Sequence, residues 1–565
     1  MKSYFPILTW LPAYPKSWLR VDVIAALTIW ALLVPEAMAY AGVAGMPPET
    51  GLYAAPLAMI AYAIFGSSRH LSVGPSSAIA ALSFSVVVGL AVPGSADFIL
   101  LTILLALVVG VMLMIASVLR LGMLADFLSR PVLDGFVFGV ALSVAIGQLD
   151  KIFGFEPESS FDFLPGVMLF IRDIELIQVP TMIVGLTSLA LLFALHKFAP
   201  KIPAPLVVLF LAISLSSLLD FEAMGVHIVG EIPAGMPPFG LPEGITLTKI
   251  MALLPGAAGV ALVAFAESVA MARGIAVKNG YEVNADQELL AVGAANIGAG
   301  FSGGFVGNGS ISRTSASVTA GGQSQMVALI GAAAVFITAL AFTPLFYYLP
   351  EATLGAIVIH AVWHSIRLSK VTQYRHITNL DFATAVIAAV GVLLFGLLEG
   401  LLLAAGLGLV VLLLNTKRRS THVLGKIPGT TVFRSLDNYP EGETYPGLLV
   451  LRFDGTLFFA NSPNFVSALR ANLLAADPSP QVILLDCESM NDIDATAVIT
   501  LVEIEKELTR SGVDLRLARV KTEVQNVMHR AGLEKAIPAE HWYLTVDSGV
   551  KSILAELQDQ RNHDV

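Results

Sequence analysis

Long apolar runs alternate with short polar breaks from Asp22 to about Asn415, and beyond that point the pattern changes. Runs such as "DVIAALTIWALLVPEAMAYAGVAG" and "QMVALIGAAAVFITALAFTPLFYYL" hold more than 20 residues with few or no charges. That is the length and character of a membrane-spanning helix. About fourteen such segments can be counted, centred near residues 33, 60, 82, 109, 140, 189, 211, 262, 295, 315, 336, 358, 389 and 407. The interval 148–179 is long enough for an additional surface helix.

Two segments depart from the rest in the same way. The third, "SVGPSSAIAALSFSVVVGL", opens on Gly74 and Pro75, followed by Ser76 and Ser77. The tenth opens on "GGFVGNGSISRT", and Gly298 to Gly309 holds six glycines in twelve residues, which predicts unwound backbone there. Under a seven-plus-seven inverted repeat, the third segment pairs with the tenth. Short, Gly/Pro-interrupted segments at matching positions point to a transporter's midplane site.

Beyond residue 430 short apolar runs alternate with amphipathic stretches. "GLLVLRFDGTLFFAN" reads as two strands, "SPNFVSALRANLLA" as a helix capped by Ser462, and "QVILLDCES" and "DLRLARV" as strands. "TAVITLVEIEKELTRSG" and "KTEVQNVMHRAG" read as helices. This alternation predicts an α/β domain. The expected organisation is an N-terminal cytoplasmic segment over 1–20, a transmembrane unit over 21–416, a linker over 417–429 and the α/β domain over 430–565.

Composition agrees with that division. The chain has 565 residues, 56% hydrophobic and 13% charged, with mean hydropathy +0.76. Residues 430–565 carry 20 Asp/Glu and 12 Lys/Arg, so they hold −8 of the formal −10. The single cysteine, Cys487, excludes an intrachain disulfide framework and a cysteine-based zinc site. No cofactor or metal is expected. "FPILTWLPAYP" is broken by prolines and does not read as a cleavable signal peptide. With the N-terminus inside and every segment crossing, ten basic residues fall in inner loops and three, Lys151, Arg172 and Lys249, in outer ones. The positive-inside rule therefore puts both termini in the cytoplasm.

Arg313 lies within the tenth segment, where a charge costs at least about 2.5–3.5 kcal/mol on insertion scales. Two half-helix N-termini would aim N–H groups at the midplane, and Ser310, Ser312 and Ser76 would add hydroxyl donors. Such a set suits an anion. The alternative is that Arg313 pairs with a carboxylate, Glu267, and only holds helices together. Glu267, in "ALVAFAESVAMARG", is also a candidate proton carrier, because burial disfavours the charged form of a carboxylate. A sodium site would need several oxygens, and Met271, one turn on, offers none. Glu36, in "LVPEAMAYAG", is a second carboxylate within a span, with a helix-capping or water-facing role beside Pro35 as its alternative.

"GFSGG", Gly300 to Gly304, matches a hydrolase pattern that needs a strand before it and a helix after it in a soluble sheet. It stands instead in an intramembrane loop, and the chain does not read as an enzyme. No G-x-x-x-x-G-K-[ST] loop occurs, which argues against an ATP-driven pump, and no basic patch suggests nucleic-acid binding.

"PEAMAYAGVAGMPPETGLYAA", "FGSSRHLSVGPSSA", "NADQELLAVGAANIGAGFSGGF" and "SISRTSASVTAGGQSQ" together resemble the signature of the SulP sulfate-permease family. The tail is similar to that family's STAS domain. The resemblance covers nearly the whole chain. It implies an all-α polytopic domain of uracil-permease-like fold, with fourteen segments in two inverted repeats forming a core and a gate, plus a cytoplasmic STAS domain. It implies a substrate pocket formed by Ser76, Ser77 and Ala78, by Ser310, Ile311, Ser312 and Arg313, and by Glu36 and Tyr40, with Glu267 nearby. The family moves sulfate, bicarbonate, chloride, oxalate or dicarboxylates, often as a homodimer in the plasma (inner) membrane.

Two departures stand out. Many members carry glutamine where this chain has Glu36, which makes Glu36 a second candidate for proton coupling. In "NDIDATAV" the serine phosphorylated in related antagonists corresponds to Ala495, so that switch is excluded, although Thr496 is adjacent. The leading expectation is secondary active transport of a small anion, sulfate foremost, by proton symport or anion exchange. The alternatives are a channel-like or anion-sensing member whose STAS domain signals to a cytoplasmic protein, and a nucleobase transporter of the same fold. Arg313 argues against the last.

Overall fold

A computed structural model describes residues 4–126, 129–155, 163–200, 202–232, 237–363, 365–417 and 421–563. They divide into two compact units, 1–409 and 410–565.

Among the described residues, fourteen principal helices stand between Leu19 and Lys417, one at each expected centre. They are α1 (Leu19–Val43), α2 (Glu49–Phe65), α3 (Ser77–Val88), α4 (Ala96–Val118), α5 (Arg130–Ile146), α6 (Val179–Phe198) and α7 (Ala204–Leu219). The second set is α8 (Leu247–Asn279), α9 (Ala285–Phe301), α10 (Ile311–Thr319), α11 (Met326–Ile337), α12 (Glu351–Trp363), α13 (Asn379–Phe395) and α14 (Leu397–Lys417). Among the described residues, six stretches are long and apolar enough to cross a membrane, those containing α1, α4, α5, α6, α8 and α11. The described part of the interval 148–179 carries two short helices, Leu149–Phe153 and Phe163–Arg172.

Side-chain caps start several helices where the sequence changes from polar to apolar. Ser95 accepts from the Phe98 amide, Asn284 from Gln287, Ser310 from Arg313 and Thr378 from Asp381. Each satisfies one of the free N–H groups of a first turn. The packing falls into two groups. In one, α9 lies against α4 and α2, α11 against α1 and α2, and α8 against α4. In the other, α5 packs on α13, α6 on α12, and α7 on α6. Helix α1 also packs on α7 and α12, which joins the two groups.

The two short helices α3 and α10 are each preceded by a two-residue strand, β1 (Val73–Gly74) and β2 (Asn308–Gly309). The strands pair antiparallel, with Val73 opposite Gly309 and Gly74 opposite Asn308. Two half-helices therefore start from one crossing point, related as inverted repeats require. The unwound stretch is shorter than the glycine count predicted: Gly298 to Phe301 are still helical, and the break begins at Ser302.

The second unit holds a six-stranded sheet of order β4-β3-β5-β6-β7-β8. Its strands are β3 (Thr421–Lys426), β4 (Phe433–Ser435), β5 (Leu448–Phe453), β6 (Val482–Asp486), β7 (Asp514–Ala518) and β8 (Trp542–Tyr543). β5 to β8 run parallel, and β3 pairs antiparallel with both β4 and β5. Helices α15 (Ser462–Ala475), α16 (Ala495–Arg510), α17 (Thr522–Arg530) and α18 (Val546–His563) accompany it. Both faces of the sheet are covered. Leu449, Leu451 and Leu485 pack with Phe465, Leu501 and Val524, whereas Val450 and Leu484 pack with Val550 and Ile553 of α18. Continuous apolar strands such as "VILLD" follow from burial on both faces. Cys487 is buried, and burial followed by the Asp486 carboxylate pushes its thiol up.

Three expectations for the tail change. Residues 421–426, assigned to a linker, form an interior strand. "GLLVLRFDGTLFFAN" contains one strand, ending at Phe453 where Asp454 and Gly455 turn the chain. The N-cap of α15 is Asn461, and Ser462 instead donates to the Phe458 carbonyl at 2.7 Å.

The crossing of β1 and β2 requires glycine at 307. A Cβ there would lie 2.6 Å from the Gly74 carbonyl oxygen and 2.7 Å from its carbon, both backbone atoms. Gly307→Ala is therefore expected to destabilise the protein by about 1–3 kcal/mol, the usual cost of forced overpacking. Thermal unfolding checks this, and a variant of wild-type stability would refute it.

Candidate anion-binding site

The crossing brings the N-terminal ends of α3 and α10 to one place, beside α1. Ser310 Oγ accepts from the Arg313 amide at 3.4 Å and lies 3.0 Å from Ser312 Oγ. Ser76 holds the corresponding position before α3, and its buried Oγ has no hydrogen-bond partner among the described residues. Ser77 and Ala78 are half-buried, and Ile311 and Ser312 are exposed. The first turns of the two helices thus offer N–H groups and hydroxyls side by side, the arrangement that attracts anions at helix N-termini.

Arg313 is fully buried. Its Nη1 lies 3.3 Å from Glu36 Oε2, while its Nε and Nη2 have no partner among the described residues. A Cβ built on Gly74 would stand 3.6 Å from Nη2, so the guanidinium lies over the crossing point. Buried N–H donors of a charged group are costly unless acceptors meet them. An oxyanion can supply two acceptors in the geometry of the guanidinium fork. Tyr40, one turn after Glu36 on α1, is buried within reach of Ser77, Glu36 and Arg313.

Behind these groups lies a polar lattice that serves the backbone. Thr314 Oγ1 donates to the Ser310 carbonyl at 2.6 Å and accepts from the Ser72 amide at 3.0 Å. The Ser310 amide donates to the Ser72 carbonyl at 2.9 Å, and the Gly309 amide to Ser268 Oγ at 2.9 Å. Asn296 holds Gly307 from both sides, accepting from its amide at 2.8 Å and donating to its carbonyl at 3.0 Å. Asn308 Nδ2 donates to Glu267 Oε2 at 2.6 Å.

These contacts sort the sequence-derived residues. Glu36 meets Arg313, Tyr40 lies within reach of both and of Ser77, and Ser310 and Ser312 meet at the start of α10. The alternative pairing of Arg313 with Glu267 does not occur, because Arg313 reaches Glu36 and Glu267 accepts from Asn308. Nor does Glu36 cap a helix or face water; it is buried against the guanidinium. Asn296, Asn308, Ser268 and Thr314 were missed. The signal available for the first two was an amide side chain inside or beside an apolar span. Ser302 of the hydrolase-like "GFSGG" is buried and donates to the Tyr53 carbonyl at 2.7 Å, a backbone tie and not a nucleophile's setting.

Comparison with known proteins adds independent findings. The sulfate permease family matches residues 19–388, and the STAS domain matches residues 439–549. A protein named "Probable sulfate transporter" from Mycobacterium tuberculosis is 36% identical over 542 residues, covering 95% of this chain and 96% of the relative. Sulfate transporter 4.1 of Arabidopsis thaliana is 30% identical, covering 100% of this chain and 84% of the relative. The murine solute carrier 26 family member A9 anion transporter, in its inward-facing state, superposes with a TM-score of 0.91 at 23% identity, covering 98% of this chain and 94% of that one. The transmembrane domain of a cyanobacterial bicarbonate transporter superposes with a TM-score of 0.61 at 20% identity, covering 68% and 98%. The two structural matches are likenesses of fold.

The Arg313–Glu36 contact makes a definite stability pattern. Removing one member of a buried pair typically costs about 3–5 kcal/mol. Arg313→Ala is therefore expected to lower thermal stability sharply, and adding Glu36→Gln should recover much of the loss. Adding Glu267→Gln instead should recover none. Thermal unfolding of the single and double variants reads this directly, and rescue by Glu267→Gln would contradict the pairing.

Proposed function

This chain belongs to the sulfate permease family, and from that premise we propose that it is a secondary active transporter of small oxyanions, sulfate foremost, which bind between the N-termini of α3 and α10. As a family member it is a multi-pass membrane protein that transports anions. The observation that carries the finer reading is Arg313, buried with two nitrogens unpaired and aimed over the crossing point. Fixed donors in a dry setting substitute for the water an anion gives up on entry.

Glu36 supplies the coupling in this reading. An anion that takes the free N–H groups of Arg313 arrives beside a carboxylate already bound to the same guanidinium. Like charges repel, so a divalent anion binds with Glu36 protonated and the two travel together. Proton symport follows when the proton is released with the anion, and exchange follows when a second anion occupies the site on the return step. Glu267, bonded to Asn308 directly behind β2, is the second candidate for the proton. Transport proceeds by movement of the core group (α1–α4 and α8–α11) against the gate group (α5–α7 and α12–α14), with both termini in the cytoplasm and a homodimer as the assembly.

The printed names of the relatives support sulfate, and the bicarbonate transporter of like fold keeps other oxyanions in the test. Radiolabelled sulfate uptake into proteoliposomes, with unlabelled sulfate, bicarbonate, oxalate or chloride in excess, reads the preference. Sulfate is expected to compete most strongly. Arg313→Lys is expected to retain part of the uptake, because lysine keeps the charge and loses the planar fork. Wild-type uptake should rise when the side of anion entry is made acidic, and Glu36→Gln should flatten that dependence. If Glu36→Gln keeps the wild-type pH profile and Glu267→Gln flattens it, the coupling role passes to Glu267.

A further inference from the structure

Outside the proposed site, α9 carries two fully buried polar side chains on its interior, Glu288 and Asn296. Eight residues apart on a helix, they are separated by about 12 Å along its axis. Each grips a different approach to the crossing point.

Glu288 holds the chain that leads into β1. Its Oε1 accepts from the Ser67 amide at 2.9 Å, Ser67 Oγ at 2.7 Å and the Ser68 amide at 3.2 Å, and its Oε2 accepts from the Tyr62 hydroxyl at 2.7 Å. Four donors and no cation meet this carboxylate among the described residues. Ser68 Oγ then accepts from the Leu71 amide at 3.2 Å, and Gln325 Nε2 donates to the carbonyls of Ser68 and Leu71 at 2.9 and 3.0 Å. The next residues are Ser72, which bonds the Ser310 amide, and Val73 of β1. Asn296 holds the chain that leads into β2, through both polar groups of Gly307. The helix itself has a rigid backing. At Gly293 a Cβ would lie 2.8 Å from the Gly110 carbonyl oxygen of α4, so the two helix backbones touch.

We propose that α9 is a splint that sets the separation and angle of the two half-helix N-termini, with Glu288 and Asn296 as positioning residues for the anion. Neither residue touches the anion. The inference rests on the reading of the site given above, since it is the α3 and α10 N-termini that are positioned. One rigid helix bonded to both arms keeps the donors at fixed spacing while core and gate move past each other.

Sulfate affinity of the purified full-length protein, measured by titration calorimetry alongside thermal stability without sulfate, tests this. Glu288→Leu and Asn296→Leu are each expected to weaken sulfate binding by about tenfold or more, by analogy with groups that orient the ligands of a metal. Glu288→Gln should bind more tightly than Glu288→Leu. Its amide oxygen still accepts from the Ser67 and Ser68 groups, while the Tyr62 hydroxyl loses the acceptor it has in Oε2. Val392→Ala, a cavity in α13 of the gate, should lower stability and leave affinity unchanged, which separates positioning from general loosening. Wild-type affinity in both leucine variants, or losses no larger than that of Val392→Ala, would overturn the splint. Where a leucine variant does not fold, Ser67→Ala replaces it. This change removes one of the three Oε1 donors and is expected to weaken sulfate binding measurably, and unchanged affinity would count against the proposal. Arg313→Ala is the companion measurement. If it binds sulfate as wild type does, the site reading fails; if it loses binding while the α9 variants keep it, only the splint fails.

Discussion

Every backbone N–H and C=O at the crossing of β1 and β2 must find a partner, because hydrocarbon offers none. The rest of the membrane unit follows from that constraint. Two helices that stop halfway expose unpaired groups, and the two antiparallel strands satisfy part of them. Side chains satisfy more: Thr314 takes the Ser72 amide, Ser268 the Gly309 amide and Asn296 both groups of Gly307. Glycine at 307 is what lets the two backbones approach. The Ser76 hydroxyl and Arg313 Nε and Nη2 are left without a partner among the described residues, and on the proposed reading an anion meets them. On the proposed reading, the same economy that permits an interrupted helix in a membrane also supplies the donors of the site.

Length and apolarity were legible in the sequence because the membrane dictates them, and helices stand at all fourteen expected centres. The glycine and proline interruptions identified α3 and α10 for a comparable reason: only those residues let a span stop and restart. Arg313 stood out because a charge inside a span demands a partner. Which partner was not legible. Glu36 and Glu267 lie in equally apolar runs, and choosing between them needs a distance. Asn296 and Glu288 escaped notice because they serve the backbone of remote segments. Glu288 meets Tyr62 across 226 residues of sequence, and no periodicity records such a tie.

The tail repeats the lesson with different physics. Its buried strands were visible as unbroken apolar runs, since a parallel sheet covered on both faces leaves no alternation to hide them. Strand β3, "THVLGK", was mistaken for linker because its two ends are polar and only Leu424 and Gly425 are buried. Helix α18 was overlooked because "VDSGVKSILAELQDQRNH" is polar over most of its surface. Its apolar stripe of Val546, Val550, Ile553 and Leu557 becomes apparent only when the sheet face it covers is known.

Selectivity at such a site is governed by charge more than by shape. Hydroxyls and amide N–H groups accept any oxyanion, and each helix N-terminus contributes roughly half a unit of positive charge. Arg313 adds one full positive charge, and ionised Glu36, 3.3 Å from it, removes one. On the proposed reading, with Glu36 ionised the pocket carries roughly the charge of the two helix ends, which favours a monovalent anion over a divalent one. With Glu36 protonated the same pocket gains a whole charge without any movement of atoms. A glutamine at this position would fix the pocket in the more positive state and remove the dependence on a proton. On the proposed reading, the carboxylate at position 36 would convert a static anion site into one whose preference between monovalent and divalent substrates changes with a single proton, and the observation behind that reading is its contact with Arg313.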